Sequence, residues 1–320
     1  MKDIQKKSFE KSFDNGFFYS ASQFYKEIFG VKTYKISLTA ARTCPNRDGS
    51  KAYGGCIFCS EKGSGDFAES TSDTIKDAVE RAKLRLSKKL KDGQEKAFIA
   101  YFQSFSNTYG KPDFLKEKFL SALNCSDVKG LSIATRPDCF NPEIISVLQE
   151  LSRRAFLQIE LGLQTSNEKT GEYMRRFYTN QDYINAVKLL KENVPDCHIV
   201  THLIYGLPGE KKEDMLNSLD FILENGSHGI KIASLHVLKN TSLCKEYLEG
   251  RVKCLEMEEY FELVGESLLR IPENIVLHRL TGDGDKKLLL APLWTWEKRK
   301  VLNSMNQYFK EHNIVQGRGL

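Results

Sequence analysis

Three cysteines fall within sixteen residues, in the run Cys44-Pro-Asn-Arg-Asp-Gly-Ser-Lys-Ala-Tyr-Gly-Gly-Cys56-Ile-Phe-Cys59. Thiolates are ligands for zinc and for iron–sulfur clusters, and the number of thiolates separates the two. A structural zinc site closes with four ligands. A cluster held by three thiolates leaves one iron open to a ligand with nitrogen and oxygen donors. Three readings follow from the spacing: a 4Fe-4S cluster on Cys44, Cys56 and Cys59, a zinc knuckle completed by a distant histidine or cysteine, or three structural cysteines. Gly49, Gly54 and Gly55 give the loop the positive φ values and close approach that a cluster requires, and the aromatic Phe58 precedes the last cysteine.

The other cysteines read differently. Cys125, Cys197, Cys244 and Cys254 lack ligand spacing and are expected as small buried apolar residues. Cys139 follows Thr135-Arg136-Pro137-Asp138 at a strand end, where a catalytic thiol would sit. His202 also falls at a strand end, whereas His198, His228, His236, His278 and His312 show no paired metal spacing and are expected as satisfied core or surface residues.

The chain of 320 residues is 41% hydrophobic and 28% charged, enough for one main domain with an appendage. No run reaches the roughly 20 apolar residues of a membrane span. Met1 to Glu10 has no apolar signal core, so a cytoplasmic protein that contacts no membrane is expected. In that reducing compartment a disulfide scaffold is not expected and ligation becomes the leading role for thiols. The net charge of +5 is modest. Basic residues bunch at Lys2 to Lys11, Arg81 to Lys96 and Lys298 to Lys300, clusters that suit phosphates or, equally, solvated helix faces. Trp294 and Trp296 beside Lys298 suit base stacking or packing of the last helix.

Positioning these residues falls to alternating β-rich and amphipathic segments. Strands are predicted at Tyr34 to Thr39, Ala97 to Phe102, Gly130 to Ala134, Phe156 to Leu161, His198 to Ile204 and Gly229 to Leu235. Helices are predicted at Ser72 to Lys91, Pro112 to Leu123, Pro142 to Arg153, Asn180 to Glu192 and Lys211 to Asn225, with Ser72 and Asn141 as caps. Right-handed crossovers curl six such units into an α/β fold, an incomplete (βα)6 TIM-like barrel with its site at the C-terminal strand ends. The expected division is an arm at residues 1–33, the barrel at 34–240 and a small C-terminal α+β extension at 241–320. The extension holds a helix at Glu256 to Arg270, a strand at Ile275 to His278, a loop at Thr281 to Lys287 and a helix at Trp296 to His312.

Taken together, the cysteine loop, the Thr135-Arg136-Pro137-Asp138 segment, Glu160-Leu-Gly-Leu-Gln164-Thr and His202-Leu-Ile-Tyr-Gly206-Leu-Pro-Gly209-Glu210 resemble the radical S-adenosylmethionine (SAM) superfamily over Tyr34 to Leu238. The resemblance is closest to its Elongator-like branch, including a bacterial family with the same long first cysteine gap. The superfamily usually spaces its cysteines by three and two residues, whereas eleven separate Cys44 from Cys56. The resemblance implies SAM bound through its amino and carboxylate groups to the open iron. It places Gln103 and Ser104 at the methionyl amino group and His202 near the adenine. Glu160 and Gln164 are candidates for the ribose hydroxyls, Arg176 or Arg175 for the SAM carboxylate, and Arg136 for SAM or for a structural pair with Asp138.

The implied reaction is reductive cleavage of SAM to a 5′-deoxyadenosyl radical that abstracts hydrogen from a substrate, fed by an external one-electron donor such as flavodoxin or ferredoxin. Elongator-like relatives make a tRNA wobble uridine the favoured substrate, by analogy alone. A small metabolite or porphyrin-like substrate is the alternative within the enzyme class. A non-catalytic zinc module that binds nucleic acid is the alternative outside it. The 80 residues after position 240 are too few for the acetyltransferase domain of Elongator.

Overall fold

The structure is a computed structural model and describes residues 12–63, 74–86, 95–282 and 284–319. The basic run Lys2 to Lys11, the cap at Ser72 and part of the Arg81 to Lys96 cluster lie outside the described residues. Seven parallel strands form one sheet in the order β1 (Lys32–Leu38), β2 (Lys96–Phe102), β3 (Val128–Thr135), β4 (Phe156–Gln164), β5 (His198–Tyr205), β6 (Gly229–Ser234) and β8 (Val276–Arg279). The first six match the predicted strands to within two or three residues at each end. The seventh is the run predicted at Ile275 to His278, and it pairs in parallel with β6, Ile230 opposite Leu277. The predicted six units thus gain a seventh strand at the open edge of the curled sheet.

Helices α2 (Ile75–Leu86), α3 (Pro112–Leu123), α4 (Pro142–Arg154), α6 (Asn180–Asn193) and α7 (Lys212–Glu224) lie in the crossovers. The start of α4 is set by Asn141, whose side chain accepts from the amide of Ile144, with Pro142 at the first helical position. Thr179 and Asp182 form a capping box on α6. The outward faces of the strands and the apolar stripes of these helices bury Ile36, Phe98, Ile133, Leu157, Ile199 and Ile230 in one core.

The inward faces are not apolar. Because side chains alternate along a strand, Lys35, Tyr101, Ser132, Gln158, Glu160, His202 and Lys231 converge inside the barrel in a polar column. One end is closed by α1 (Ala21–Phe29), whose Phe24 ring lies 4.4 Å from His198. The other end is the mouth, where β7 (Val237–Leu238), α8 (Ser242–Leu248) and β9 (Leu289–Ala291) join the cysteine loop. The chain finishes with α9 (Met257–Arg270) and α10 (Lys298–Glu311). Among the described residues no helix is long and apolar enough to cross a membrane.

Candidate active site

The loop after β1 carries the three cysteines and is fixed from several sides. Gly49, Gly54 and Gly55 adopt φ of 89°, 82° and 81°, the left-handed values their lack of a Cβ permits. Asn46 is fully buried, and its amide donates to the carbonyls of Arg175 (2.8 Å) and Arg176 (3.2 Å) and to Sγ of Cys56 (3.4 Å). Arg47 reaches from the start of the loop to the carbonyls of Cys59 (3.3 Å) and Ser60 (2.5 Å) at its end. Ile57 packs with Met174, Leu207, Leu235 and Leu243 in a second small core under the mouth.

Cys44, Cys56 and Cys59 border one cavity of about 320 Å³ with Phe58, Gln103, Arg136, Glu160, Gln164 and His202. Among the described residues no group of three or more His, Cys, Asp or Glu converges tightly enough to hold a lone metal ion. Burial pushes the Cys56 thiol up to about 12, and the charge of nearby Cys59 adds to the shift; burial likewise raises Cys44. Arg136 works in the opposite direction on both thiols. A cation or metal ligated among these three thiols would favour their thiolate forms.

The remaining predicted residues divide by what they touch. Gln164, at a positive φ of 66°, accepts from the Tyr178 hydroxyl at 2.9 Å. The Tyr178 ring lies between the guanidiniums of Arg136 (4.8 Å) and Arg176 (4.9 Å). Arg136 grips Asp138 with two bonds of 2.8 Å, and Lys51 joins that carboxylate at 2.5 Å. Burial opposes the Arg136 charge, but Asp138 outweighs it and raises the pKa. Arg136 thus makes the structural pair that the sequence allowed while still bordering the cavity.

Four of the residues singled out in the sequence do not line this cavity. Arg176 does not border the cavity. Its buried guanidinium donates to the carbonyls of Leu163, Thr165 and Tyr178 and to Glu168 and Asn180, which leaves it nothing for a ligand carboxylate. Arg175 donates to the Tyr53 carbonyl at 2.9 Å and is likewise outside the cavity wall. Ser104 is buried and bonded to Thr39 at 2.9 Å, away from the cavity. Cys139 is buried beside Asp138 without bordering the cavity, and burial followed by the Asp138 charge pushes its thiol up to about 12.

Glu160 borders the cavity, but its carboxylate has other work than a ribose. Its first oxygen accepts from Lys35 (2.7 Å), Ser132 (2.6 Å) and Gln158 (2.6 Å). Its second oxygen meets His202 (2.7 Å) and Lys231. Burial would raise this carboxyl, yet Lys231 and Lys35 hold it well below the usual range. Burial, with the charge of Lys231, lowers His202 to about 4, so it stays neutral. Burial lowers Lys231 to about 7, with Lys35 and Arg279 adding to the shift against Glu160. Sequence reasoning missed Lys35, Tyr101 and Lys231. The available signal was a lysine or tyrosine set among Ile, Phe and Ala in a strand otherwise apolar throughout.

The polar ends of β2, β3 and β4 facing a cysteine loop across a curled parallel sheet define an enzyme site of the barrel type. A model of the Radical SAM superfamily matches residues 41–222, and one of the Radical_SAM C-terminal domain matches residues 227–311. The chain belongs to the radical SAM superfamily, whose enzymes use a 4Fe-4S cluster and SAM. It is 40% identical over 294 residues to YtqA of Bacillus subtilis (strain 168), covering 92% of this chain and 89% of that protein. It shares the fold of Elp3 from the archaeon Methanocaldococcus infernus, with a TM-score of 0.66 and 15% identity, over 89% of this chain and 64% of that one. A tRNA-2-methylthio-N(6)-dimethylallyladenosine synthase of Caldicellulosiruptor saccharolyticus is 33% identical over 123 residues, 36% of this chain and 26% of that enzyme.

The residues present fit the cofactors of this family. Three thiols border one cavity, and Ser234, which also borders it, has a buried hydroxyl with no hydrogen-bond partner. Ile204 and Leu235 give the same cavity the apolar wall that a base requires.

Proposed function

We propose that Cys44, Cys56 and Cys59 hold the cluster and that the enzyme modifies a nucleoside in tRNA, with the wobble uridine as the favoured target. The observation that carries the first part is the shared cavity: thiols from one loop and Gln103, Arg136 and Gln164 from three strand ends border a single space. When bound, the cluster and SAM supply one-electron cleavage of a sulfonium and abstraction of hydrogen from a substrate carbon. The chain's own residues bind and orient. Gln103 presents an amide to the amino-acid end of SAM, Gln164 presents one to the ribose, and Arg136 lends positive charge beside the thiolates. Phe58 and the loop around it keep water from the reacting carbons. Electrons come from a one-electron donor of the flavodoxin or ferredoxin kind.

The tRNA reading rests on the rim of the mouth. Tyr53 is 73% exposed and Phe177 is 43% exposed. Lys51 and Arg175 stand beside them: Lys51 donates to the Phe177 carbonyl at 3.0 Å and Arg175 to that of Tyr53. Exposed rings interleaved with cations suit unstacked bases next to phosphates. The named tRNA activity of the synthase relative points the same way. Trp294 is not part of such a surface, since it packs on Tyr260 (5.4 Å) and donates to the Leu255 carbonyl at 2.9 Å.

Comparing the nucleosides of tRNA from cells with and without the protein tests the substrate. A modified wobble uridine missing from the deleted strain supports the reading, and an identical profile returns the substrate to small molecules. Binding of tRNA that weakens steeply between 50 and 200 mM salt accompanies the first outcome.

A further inference from the structure

Two lysines of the barrel interior share one carboxylate. Lys35 of β1 and Lys231 of β6 both pair with Glu160 of β4, which is wholly buried. Of the other groups facing them, Ser132, Gln158, the hydroxyls of Tyr25 and Tyr101, and His202, which burial keeps uncharged, are neutral. One positive charge is left over among these residues. Arg279, at the end of β8, borders the same cavity and repels Lys231 further. A buried cation without a counter-charge costs several kcal/mol, and a bound anion removes that cost.

Lys231 is the lysine that faces the cavity, as does the Tyr101 hydroxyl 3.2 Å from its ammonium. The strand register sets Lys231 level with His202 and Gly162, in mid-strand, well below the cysteine loop.

We propose that Lys231 and Tyr101 form an oxyanion subsite for the substrate, which receives a compact carboxylate or phosphate group carried on the arm that enters the barrel. The proposal rests on the radical SAM reading above but not on its wobble-uridine substrate, because a uridine within tRNA carries neither a carboxylate nor a phosphate monoester; it points to a substrate with such an anionic arm. The ammonium donates to the anion, and the Tyr101 hydroxyl, which accepts from that ammonium, turns its own proton from Glu160 to the anion.

The test uses the full chain, with and without a reconstituted cluster, at constant ionic strength. Acetate and inorganic phosphate are titrated separately by calorimetry, with line broadening of labelled acetate as a second readout. Saturable binding of acetate assigns a carboxylate arm, and saturable binding of phosphate assigns a phosphate monoester. Lys231→Met weakens the bound anion at least about tenfold and Tyr101→Phe weakens it measurably, whereas Lys231→Arg retains it. No saturable binding of either anion, or equal affinity in wild type and both weakening variants, overturns the proposal. Thermal midpoints establish that each variant is folded. Tyr101→Phe keeps the test decisive if Lys231→Met does not fold. Cleavage of SAM without anion binding sinks the subsite alone, and anion binding by a protein that takes up no iron sinks the enzymatic reading alone.

Discussion

Lys35 on β1 and Glu160 on β4 meet at 2.7 Å although two strands lie between them. In a flat sheet three strand spacings separate such residues by about 14 Å, so this ion pair is a direct measure of how far the sheet has curled. Glu160 is also the only carboxylate that Lys35 and Lys231 share among the described residues. Replacing it by glutamine leaves two buried ammonium groups without a counter-charge. Glu160→Gln is expected to lower stability by about 3–5 kcal/mol, read from urea unfolding. A loss below about 1 kcal/mol would show that the network does not hold the barrel together.

Acid should loosen the closed end of the barrel first. His198 and His278 share a hydrogen bond of 2.8 Å between their Nε2 atoms. Burial, with the neighbouring His228, lowers His198 to about 3, and burial lowers His278 well below its ordinary value. A histidine held neutral in the fold and protonated in the unfolded chain contributes stability that is complete above about pH 6.5. That contribution is lost as the pH falls from there towards 3. Each such histidine changes stability by up to roughly 1.4 kcal/mol per pH unit in that window. Urea midpoints at pH 7, 6 and 5 should fall more steeply for wild type than for His198→Gln, and parallel slopes would contradict the assignment.

Gly162 controls the pose of Gln164. A Cβ at Gly162 would stand 2.5 Å from Nε2 of Gln164, so Gly162→Ala must displace that amide from its present position. The expected result is a several-fold weaker Kd for SAM with little change in thermal midpoint, measured by equilibrium dialysis on the reconstituted protein. Unchanged affinity would remove Gln164 from the SAM site.

Cys139 is expected to be dispensable for chemistry. Its thiol is buried, protonated at neutral pH and absent from the cavity wall. Cys139→Ala should therefore keep SAM cleavage within about twofold of wild type once cluster content is matched, since small buried thiols are inert. A loss of a hundredfold would return the catalytic thiol to the account.

Much of this was legible in the residues. Six strands could be placed because buried parallel strands are short runs of Ile, Leu, Val and aromatics, five of them followed by an amphipathic helix. The cavity-facing positions of Gln103, Arg136, Gln164 and His202 followed from the rule that barrel sites sit at strand ends. Arg176 misled because a guanidinium reads the same whether it holds a ligand or five groups of its own chain. The seventh strand was seen as a strand but not as part of the sheet, because its partner β6 lies more than forty residues earlier in the chain. Short α5 (Glu168–Tyr173) and the left-handed residues Arg175 and Phe177, at φ of 58° and 57°, left no trace in composition. They exist because the Arg175 carbonyl caps Asn46 and so holds the cysteine loop in place.

The central claim is that three thiolates surround a four-iron cluster with one iron free. Electron paramagnetic resonance of the anaerobically reconstituted, reduced protein tests it with iron and sulfide counted on the same sample. The account predicts about four irons and four sulfides per chain. It further predicts a cluster spectrum that shifts when SAM is added and that Cys56→Ala does not show. A wild-type protein with one zinc and no labile sulfide, or a cluster spectrum indifferent to SAM, would contradict it.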